Sequence, residues 1–177
     1  MGALTAPSAN PLPLEAVERQ LDRLLTFFPR VDSKVSALFA VTSAQLAVAA
    51  LNLTLDDLKV WWIAACLVAF ILSAAWVMIH LYRCTYPHLE GGQQSLIYFA
   101  EIVKKQPHAY IRSIGNVQVD VYREDVAGQI YRNAEILCLK YRFLKRATIG
   151  ASLCILPWSA FLLATSLSHW KLPVFSS

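Results

Sequence analysis

The sequence has little charge for its length. Only 16% of its 177 residues are Asp, Glu, Lys or Arg, whereas 56% are hydrophobic and the mean hydropathy is +0.45. A water-soluble domain of this size needs more charged side chains on its surface than this chain can supply. The composition therefore excludes an ordinary soluble globular protein and indicates a membrane protein.

Motifs that carry catalysis or bind metal ions are also missing from the sequence. There is no HExxH, no glycine-rich phosphate loop and no serine elbow, and the four histidines are scattered singly. The four cysteines show no CxxC spacing, which argues against both a zinc site and a disulfide framework. We therefore predict that the protein is not an enzyme and that it holds no metal ion or resident cofactor.

Three runs almost free of charge are long enough to cross a bilayer, which takes about 20 apolar residues in a helix. They predict transmembrane helices at 34–53, 60–81 and 147–168. The other predicted segments are a flexible N-terminus (1–13), an amphipathic helix (14–28), a tight turn (54–59), a cytosolic helical sensor segment (83–146) and a tail (169–177). The predicted fold is an all-α membrane protein with three transmembrane helices and a cytosolic helical segment between spans two and three.

Basic residues predict the direction of the three spans. Ten of the 16 Lys and Arg residues lie in 83–146 and four lie before or at the first residue of the first span, whereas the turn and the tail have one each. Because loops rich in Lys and Arg stay in the cytosol, the N-terminus is predicted inside and the C-terminus outside. Two sets of aromatic residues agree with this direction: Trp61, Trp62 and Trp170 at the outer interface, and Tyr82, Tyr86 and Tyr141 at the inner one.

The boundaries of the helices follow from proline, glycine and capping residues. Pro29 is expected to end the amphipathic helix, and Asp32 to cap the first transmembrane helix. Apolar residues at helical spacing predict a helix over 94–105, after a Gly91–Gly92 loop, and another from Pro107 to Ile114.

The longest predicted helix runs from Asp120 to Trp170. Its first half is amphipathic, with the apolar residues Val126, Ile130, Leu137, Tyr141 and Leu144 on one face. Its second half is the third span, in which Pro157 is expected to introduce a kink at most. At about 1.5 Å per residue this helix would measure roughly 75 Å, more than twice the thickness of the hydrocarbon core. It would connect a cytosolic sensor to a membrane span.

Small and polar residues form stripes on the first and third spans. In the first span, one stripe is mostly small (Ser36, Ala40, Ser43, Ala47 and Ala50) and a second is more polar (Thr42, Gln45, Ala49 and Asn52); the third span has Ser152, Ser159 and Ser166 at sevenfold spacing. Such faces are normally hidden against another helix in lipid. Packing within the chain explains them, as does a self-associating or pore-lining face. For a homo-oligomer the predicted interface residues are Ser36, Ala40, Ser43, Gln45, Ala47, Ser152, Ser159 and Ser166.

Two charged residues are predicted at the same cytosolic interface. Asp32 lies where the chain enters the first span, and Lys140 lies shortly before the third span. An ion pair between them would fix the two helices against each other. The alternative is that each charge contacts lipid headgroups independently.

Cationic and aromatic residues in the cytosolic segment offer what an anionic nucleotide needs, namely positive charge for a phosphate and flat rings for a base. The candidate ligand-binding residues are Lys104, Lys105, Tyr110, Arg112, Arg123, Gln129 and Arg132. Solvated helix faces and orientation signals produce the same pattern. Because the basic residues cluster beside the spans, we predict lipid rather than a nucleic-acid polymer as their other partner.

Three segments of the sequence resemble the transmembrane effector family of Pycsar, the pyrimidine cyclase system for antiphage resistance in bacteria. They are VDSKVSALFA (31–40), TYPHLEGGQQSLIYFAEI (85–102) and GQIYRNAEILCLKYRFLKRA (128–147). The positions that match the family pattern include Asp32, Lys34, Gln129, Lys140 and Tyr141. The chain departs from it at His88, where an Arg is expected, and at Val35, where an Ala is usual.

The resemblance implies a multi-pass protein of the bacterial inner membrane that responds to cyclic CMP or cyclic UMP. A partner nucleotide cyclase would make this ligand upon infection, and the response would be loss of membrane integrity. The departures at Val35 and His88 leave open whether the ligand is a pyrimidine cyclic nucleotide or another signal that related defence effectors use.

Two other classes of function fit the sequence. A constitutive membrane scaffold could recruit a cytosolic partner through the basic helices without a small ligand. An ion channel or transporter is supported only by Gln45 and Asn52 and lacks charge within the membrane.

Overall fold

The structure is a computed structural model that describes residues 12–86 and 94–169. In these ranges the chain forms helices and turns, without strands. The α-helices are α1 (Leu14–Leu25), α2 (Phe27–Asn52), α3 (Trp61–Thr85), α4 (Phe99–Ile102), α5 (Pro107–Asn116) and α6 (Val119–His169). Three stretches, Leu14–Asn52, Trp61–Thr85 and Val119–Ser168, are long and apolar enough to cross a membrane. The all-α fold with three candidate spans is confirmed. The location of the N-terminus inside the cell and of the C-terminus outside stays a prediction.

Helix α6 confirms the long helix predicted from the sequence. It is continuous over 51 residues, and Pro157 lies inside it without ending it. Val126, Leu137 and Leu144 of the predicted apolar face are buried, whereas Tyr141 is 39% exposed. The apolar residues at helical spacing therefore form one face of α6, and most of this face is buried. Trp170, the predicted last residue, lies outside the described ranges.

The predicted boundary at Pro29 was wrong. The helix is interrupted at Thr26, whose hydroxyl donates a 2.7 Å hydrogen bond to the carbonyl of Arg23. Pro29 lies in the first turn of α2, where a backbone N–H has no acceptor within the helix, so that its absence costs nothing. Asp32 is consequently inside α2 and does not cap it.

The predicted helix over 94–105 was also wrong in extent, because only Phe99–Ile102 is α-helical. Before it, Gln94 has a positive φ of 63°, and the Ser95 hydroxyl accepts hydrogen bonds from the backbone N–H groups of Ile97 and Tyr98. A serine that binds nearby backbone groups offers them an alternative to helical pairing. The adjacent helix α5 begins at Pro107 as predicted and ends at Asn116. The Gly91–Gly92 loop and His88 lie outside the described ranges.

The connection between α2 and α3 contains more structure than a tight turn. Residues Asp57–Lys59 form a single 3₁₀ turn between α2 and α3. Helix α3 then continues to Thr85, four residues beyond the predicted end at Leu81.

The chain divides into two compact units. Unit 1 comprises Met1–Pro29 and His88–Leu137, and unit 2 comprises Arg30–Pro87 and Cys138–Ser177. Unit 2 contains a contiguous apolar core centred on Ile63, Phe70 and Phe161. In unit 1 the buried hydrophobic residues of the described ranges are Val17, Val126 and Leu137.

Candidate functional site

A cluster of hydrogen bonds in unit 1 holds the segment 94–96 against polar side chains. The backbone N–H of Leu96 donates to the Asp125 carboxylate at 2.7 Å, and the Tyr110 hydroxyl donates to the Leu96 carbonyl at 3.1 Å. The Gln129 side-chain amide donates to the Ser95 hydroxyl at 3.2 Å. Ser95 and Gln129 are buried. We refer to Ser95, Leu96, Tyr110, Asp125 and Gln129 as the polar cluster.

The beginning of this segment is held by a second group of contacts in unit 1. The backbone N–H of Gln94 donates to the Glu101 carboxylate at 3.1 Å, and the Lys105 ammonium donates to the Gln94 carbonyl at 3.3 Å. Glu101 also forms an ion pair with Lys104. The hydrogen bond from Lys104, together with that from the Gln94 backbone, lowers the pKa of the Glu101 carboxyl group. Glu101 is therefore a carboxylate at neutral pH and can accept both bonds.

The structure brings some of the predicted ligand-binding residues together and leaves others apart. Tyr110, Gln129 and Lys105 all contact the segment 94–96. Lys104 is paired with Glu101, and Arg132 lies 3.2 Å from Glu135. Arg112 is exposed on α5. Three of the seven predicted residues therefore share contacts to one segment of the chain.

Arg123 of α6 stands out among the predicted residues because one of its donors is unused. Its Nη1 lies 2.6 Å from the Asp120 carboxylate, and its side chain is 22% exposed. Its Nε is buried and has no hydrogen-bond partner among the described residues. A buried donor without an acceptor costs about 1–3 kcal/mol, more when it is charged, so such groups are rare in folded proteins. An acceptor supplied by a ligand would remove this cost.

Reasoning from the sequence missed three members of the polar cluster: Ser95, Asp125 and Leu96, which takes part through its backbone. A signal for Asp125 was present, since it lies four residues before Gln129 and hence on the same face of α6. The signal for Ser95 was its place two and three residues before Ile97 and Tyr98, because a serine hydroxyl can accept hydrogen bonds from backbone N–H groups at these distances along the chain. Neither signal indicates which part of the chain the side chain will contact.

In unit 2 the predicted ion pair between Asp32 and Lys140 is confirmed. The Lys140 ammonium lies 2.6 Å from the Asp32 carboxylate, and the two side chains are 14% and 53% exposed, respectively. Next to them, the thiol of Cys84 donates to the Lys140 carbonyl at 3.3 Å. These contacts connect α2, α3 and α6 at one end of unit 2. Lys34 and Tyr141, which also match the family pattern, are exposed.

The stripes of the first and third spans are only partly buried within the chain. Thr42, Gln45 and Ala49 of the polar stripe are buried, and the Trp158 indole donates to the Gln45 carbonyl at 3.2 Å. Gln45, which was predicted at an interface between copies, is covered by unit 2 itself. Of the other predicted interface residues, Ser36, Ala40, Ala47, Ser152 and Ser166 are exposed, and Ser43 and Ser159 are half-buried.

A buried carboxylate at the other end of unit 2 was also missed. Asp57 is 2% exposed and accepts hydrogen bonds from the backbone N–H of Thr54 at 2.9 Å, from its hydroxyl at 2.6 Å and from the Ser168 hydroxyl at 3.1 Å. These bonds join the turn between α2 and α3 to the last turn of α6. The sequence indicated only a short connection there.

The comparisons with known proteins identify the family. No curated protein and no solved structure matches the chain significantly. In the described ranges, no group of three or more His, Cys, Asp or Glu side chains could hold a metal ion. The model of the family described as the Pycsar effector protein domain matches residues 16–166, which is most of the chain. The chain therefore belongs to the Pycsar effector family, whose members are transmembrane effectors of antiphage defence and not cyclases.

Proposed function

We propose that this protein is a bacterial inner-membrane effector that binds cyclic CMP or cyclic UMP through unit 1 and then impairs the integrity of the membrane. The nucleotide would be the product of a partner cyclase, with which Pycsar effectors work. The protein would act as a homo-oligomer. Membership of the effector family supports this proposal most directly.

The unused donor of Arg123 is the structural observation that supports a phosphate ligand. A cyclic nucleotide carries one negatively charged phosphodiester, and an arginine binds such a group through charge-assisted hydrogen bonds. A phosphate oxygen at the buried Nε of Arg123 would satisfy that donor. Unit 1 also contains Tyr110 and Tyr131, whose rings can stack on a base, and Tyr131 is 69% exposed.

Helix α6 is the element that would carry the response. It runs without interruption from the polar cluster residue Gln129 through its apolar second half, where the third span was predicted at 147–168. A ligand changes the balance between a resting and an active packing only if it binds the two with different affinity. Binding at Arg123, which is on α6, would provide this difference at the helix that enters the membrane.

Calorimetry on the purified full-length protein in detergent tests the ligand. We expect saturable binding of cyclic CMP or cyclic UMP and much weaker binding of cyclic AMP and cyclic GMP. Arg123→Gln should weaken binding roughly tenfold or more, the loss expected for one charge-assisted bond to a phosphate. The matched control Arg142→Gln removes an exposed basic residue of unit 2 and should leave binding unchanged. Equal affinity of Arg123→Gln and the unchanged protein would contradict the assignment of the phosphate.

Expression in bacteria tests the effect on the membrane. Addition of the cyclase product should depolarise the inner membrane of cells that contain the effector and stop their growth. No binding of any cyclic nucleotide, together with no effect of overexpression on growth, would instead support a constitutive scaffold that recruits a cytosolic partner.

A further inference from the structure

A groove between α3 and α6 in unit 2 combines an apolar lining with one cation. It has a volume of about 690 Å³ and is lined by Ser73 and Trp76 of α3 and by Arg146, Ile149, Gly150 and Leu153 of α6. The four α6 residues follow at spacings of three, one and three, so they lie on a single helix face. Arg146 is at one end of this face and Leu153 lies about 10 Å further along the helix.

The groove is formed in part by the absence of a side chain at Gly150. A Cβ at this position would lie 3.0 Å from Cδ1 of Trp76 and 3.1 Å from Cγ2 of Val77, closer than nearly all such contacts. Trp76 can therefore lie against the backbone of α6 while 55% of its surface stays exposed. Ile149 and Leu153 are likewise 52% and 60% exposed. The groove is thus open to the surroundings and mostly apolar, and the indole ring of Trp76 forms one of its walls.

Two hydrogen-bond donors at the groove, on Arg146 and Trp76, have no partner among the residues that the structure describes. Arg146 forms no ion pair with another residue in the part of the chain that the structure describes, and the indole N–H of Trp76 donates to no described residue. Arg146 immediately precedes the third predicted span, where a guanidinium reaches the headgroup level of the inner leaflet. Apolar walls below a cation match a phospholipid, which has a negatively charged headgroup above acyl chains.

We propose that this groove is a binding site for an anionic phospholipid. Arg146 binds the headgroup phosphate, the Trp76 indole N–H donates to an oxygen of the headgroup or of the ester, and an acyl chain lies along Ile149, Gly150 and Leu153. The proposal does not rest on the proposed nucleotide site, because the residues of the groove belong to unit 2 and none of them is assigned to the nucleotide.

Quenching of Trp76 fluorescence by brominated phospholipids tests the proposal in vesicles. In a variant whose other tryptophans are Phe, dibrominated phosphatidylglycerol should compete for the groove about fivefold more effectively than dibrominated phosphatidylcholine, the preference expected for one basic residue near an anionic headgroup. Arg146→Gln should abolish the preference and Arg146→Lys should keep most of it. The matched control Lys145→Gln removes a neighbouring exposed charge that does not line the groove and should keep the preference.

Three results would overturn the proposal. The first is equal quenching of Trp76 by the two lipids, and the second is a preference for phosphatidylglycerol that survives Arg146→Gln. The third is protection of Trp76 from both lipids, which would show that a second copy of the chain covers the groove. Native mass spectrometry of the protein with all its tryptophans checks the same point without the Phe substitutions. Phosphatidylglycerol should stay bound to the unchanged protein and to Lys145→Gln, and should be lost from Arg146→Gln.

Discussion

Different interactions stabilise the interior of each of the two units of this protein. Unit 2 has a continuous apolar core around Phe70 and Phe161, to which an ion pair and a few hydrogen bonds are added. Unit 1 buries few hydrophobic residues in its described ranges, and its segment 94–96 is fixed by hydrogen bonds to polar side chains. Burial of apolar surface contributes more per residue than a hydrogen bond, whose net contribution is about 1 kcal/mol.

The difference indicates which unit is suited to each task. A region with few buried apolar contacts opens locally at low cost, so the binding of a ligand can change its conformation. A well-packed region keeps its arrangement until another element acts on it. Unit 1 is thus suited to sensing and unit 2 to the response, and the following changes test this division in order of decreasing expected effect.

Gly128→Pro in α6 should have the largest effect. Proline inside a helix removes a hydrogen bond and clashes with the preceding turn, at a cost of about 3 kcal/mol or more. We expect the response to the cyclase product to be lost while insertion into the membrane is kept, as measured by growth on induction and by membrane fractionation. The control is Gly128→Ala, because a Cβ at Gly128 meets nothing within 4 Å. A Pro variant that still stops growth would show that α6 does not transmit the signal.

Removal of the ion pair in unit 2 should have the next largest effect. Asp32→Asn leaves the mostly buried Lys140 without this carboxylate, whereas Lys140→Gln leaves Asp32 able to contact solvent. Breaking a fully buried ion pair by removing one partner would lower the free energy of unfolding by about 3–5 kcal/mol. Because Asp32 is half exposed, we expect a smaller decrease of about 1–2 kcal/mol.

A double-mutant cycle on unfolding in detergent measures this interaction. The coupling between Asp32→Asn and Lys140→Gln should be about 1 kcal/mol, whereas the exposed neighbour Lys34→Gln should show no coupling to Lys140→Gln. A coupling near zero for the first pair would mean that the two charges act independently at the headgroups.

Asp125→Asn should lower the free energy of local opening around the segment 94–96 by about 1 kcal/mol. The reason is that the charge-assisted hydrogen bond from the Leu96 N–H becomes a neutral one. Hydrogen exchange of residues 94–98 should become roughly five- to tenfold faster, while the core of unit 2 keeps its protection. The control Glu124→Gln changes an exposed carboxylate next to it. Unchanged exchange in 94–98 would show that Asp125 does not hold this segment.

The smallest effect concerns the pH dependence of the Glu101 contacts. Because the hydrogen bond from Lys104 lowers the pKa of Glu101, the contribution of these contacts is complete above the ordinary value of 4.5 and is lost as the pH falls through the lowered value. Lys104→Gln should move the pKa of Glu101 back toward 4.5, as measured by an NMR titration of its side-chain carboxyl carbon. A pKa that does not move would assign the shift to the Gln94 backbone instead.

Much of the fold was predictable because it depends on local properties of the chain. Hydropathy alone identified the three spans, and the period of apolar residues identified α6 over nearly its full length. The pair between Asp32 and Lys140 was predictable because both residues were expected at the same membrane interface. The boundary at Pro29 was wrong because proline is tolerated in the first turn of a helix as well as after its end.

Other features depended on contacts between residues distant in the chain, and only the tertiary structure decided them. The sequence by itself determined that the protein is helical, that it enters a membrane and that its family is one of effectors, because composition, periodicity and ordered motifs are properties of the chain. It did not determine that Gln45 is covered by unit 2, that Ser95 and Asp125 hold the segment 94–96, or that Arg123 keeps a buried donor with no acceptor in the part of the chain that the structure describes. Each of these depends on which side chains meet across helices, and a polar residue in the sequence has many possible partners until packing selects one.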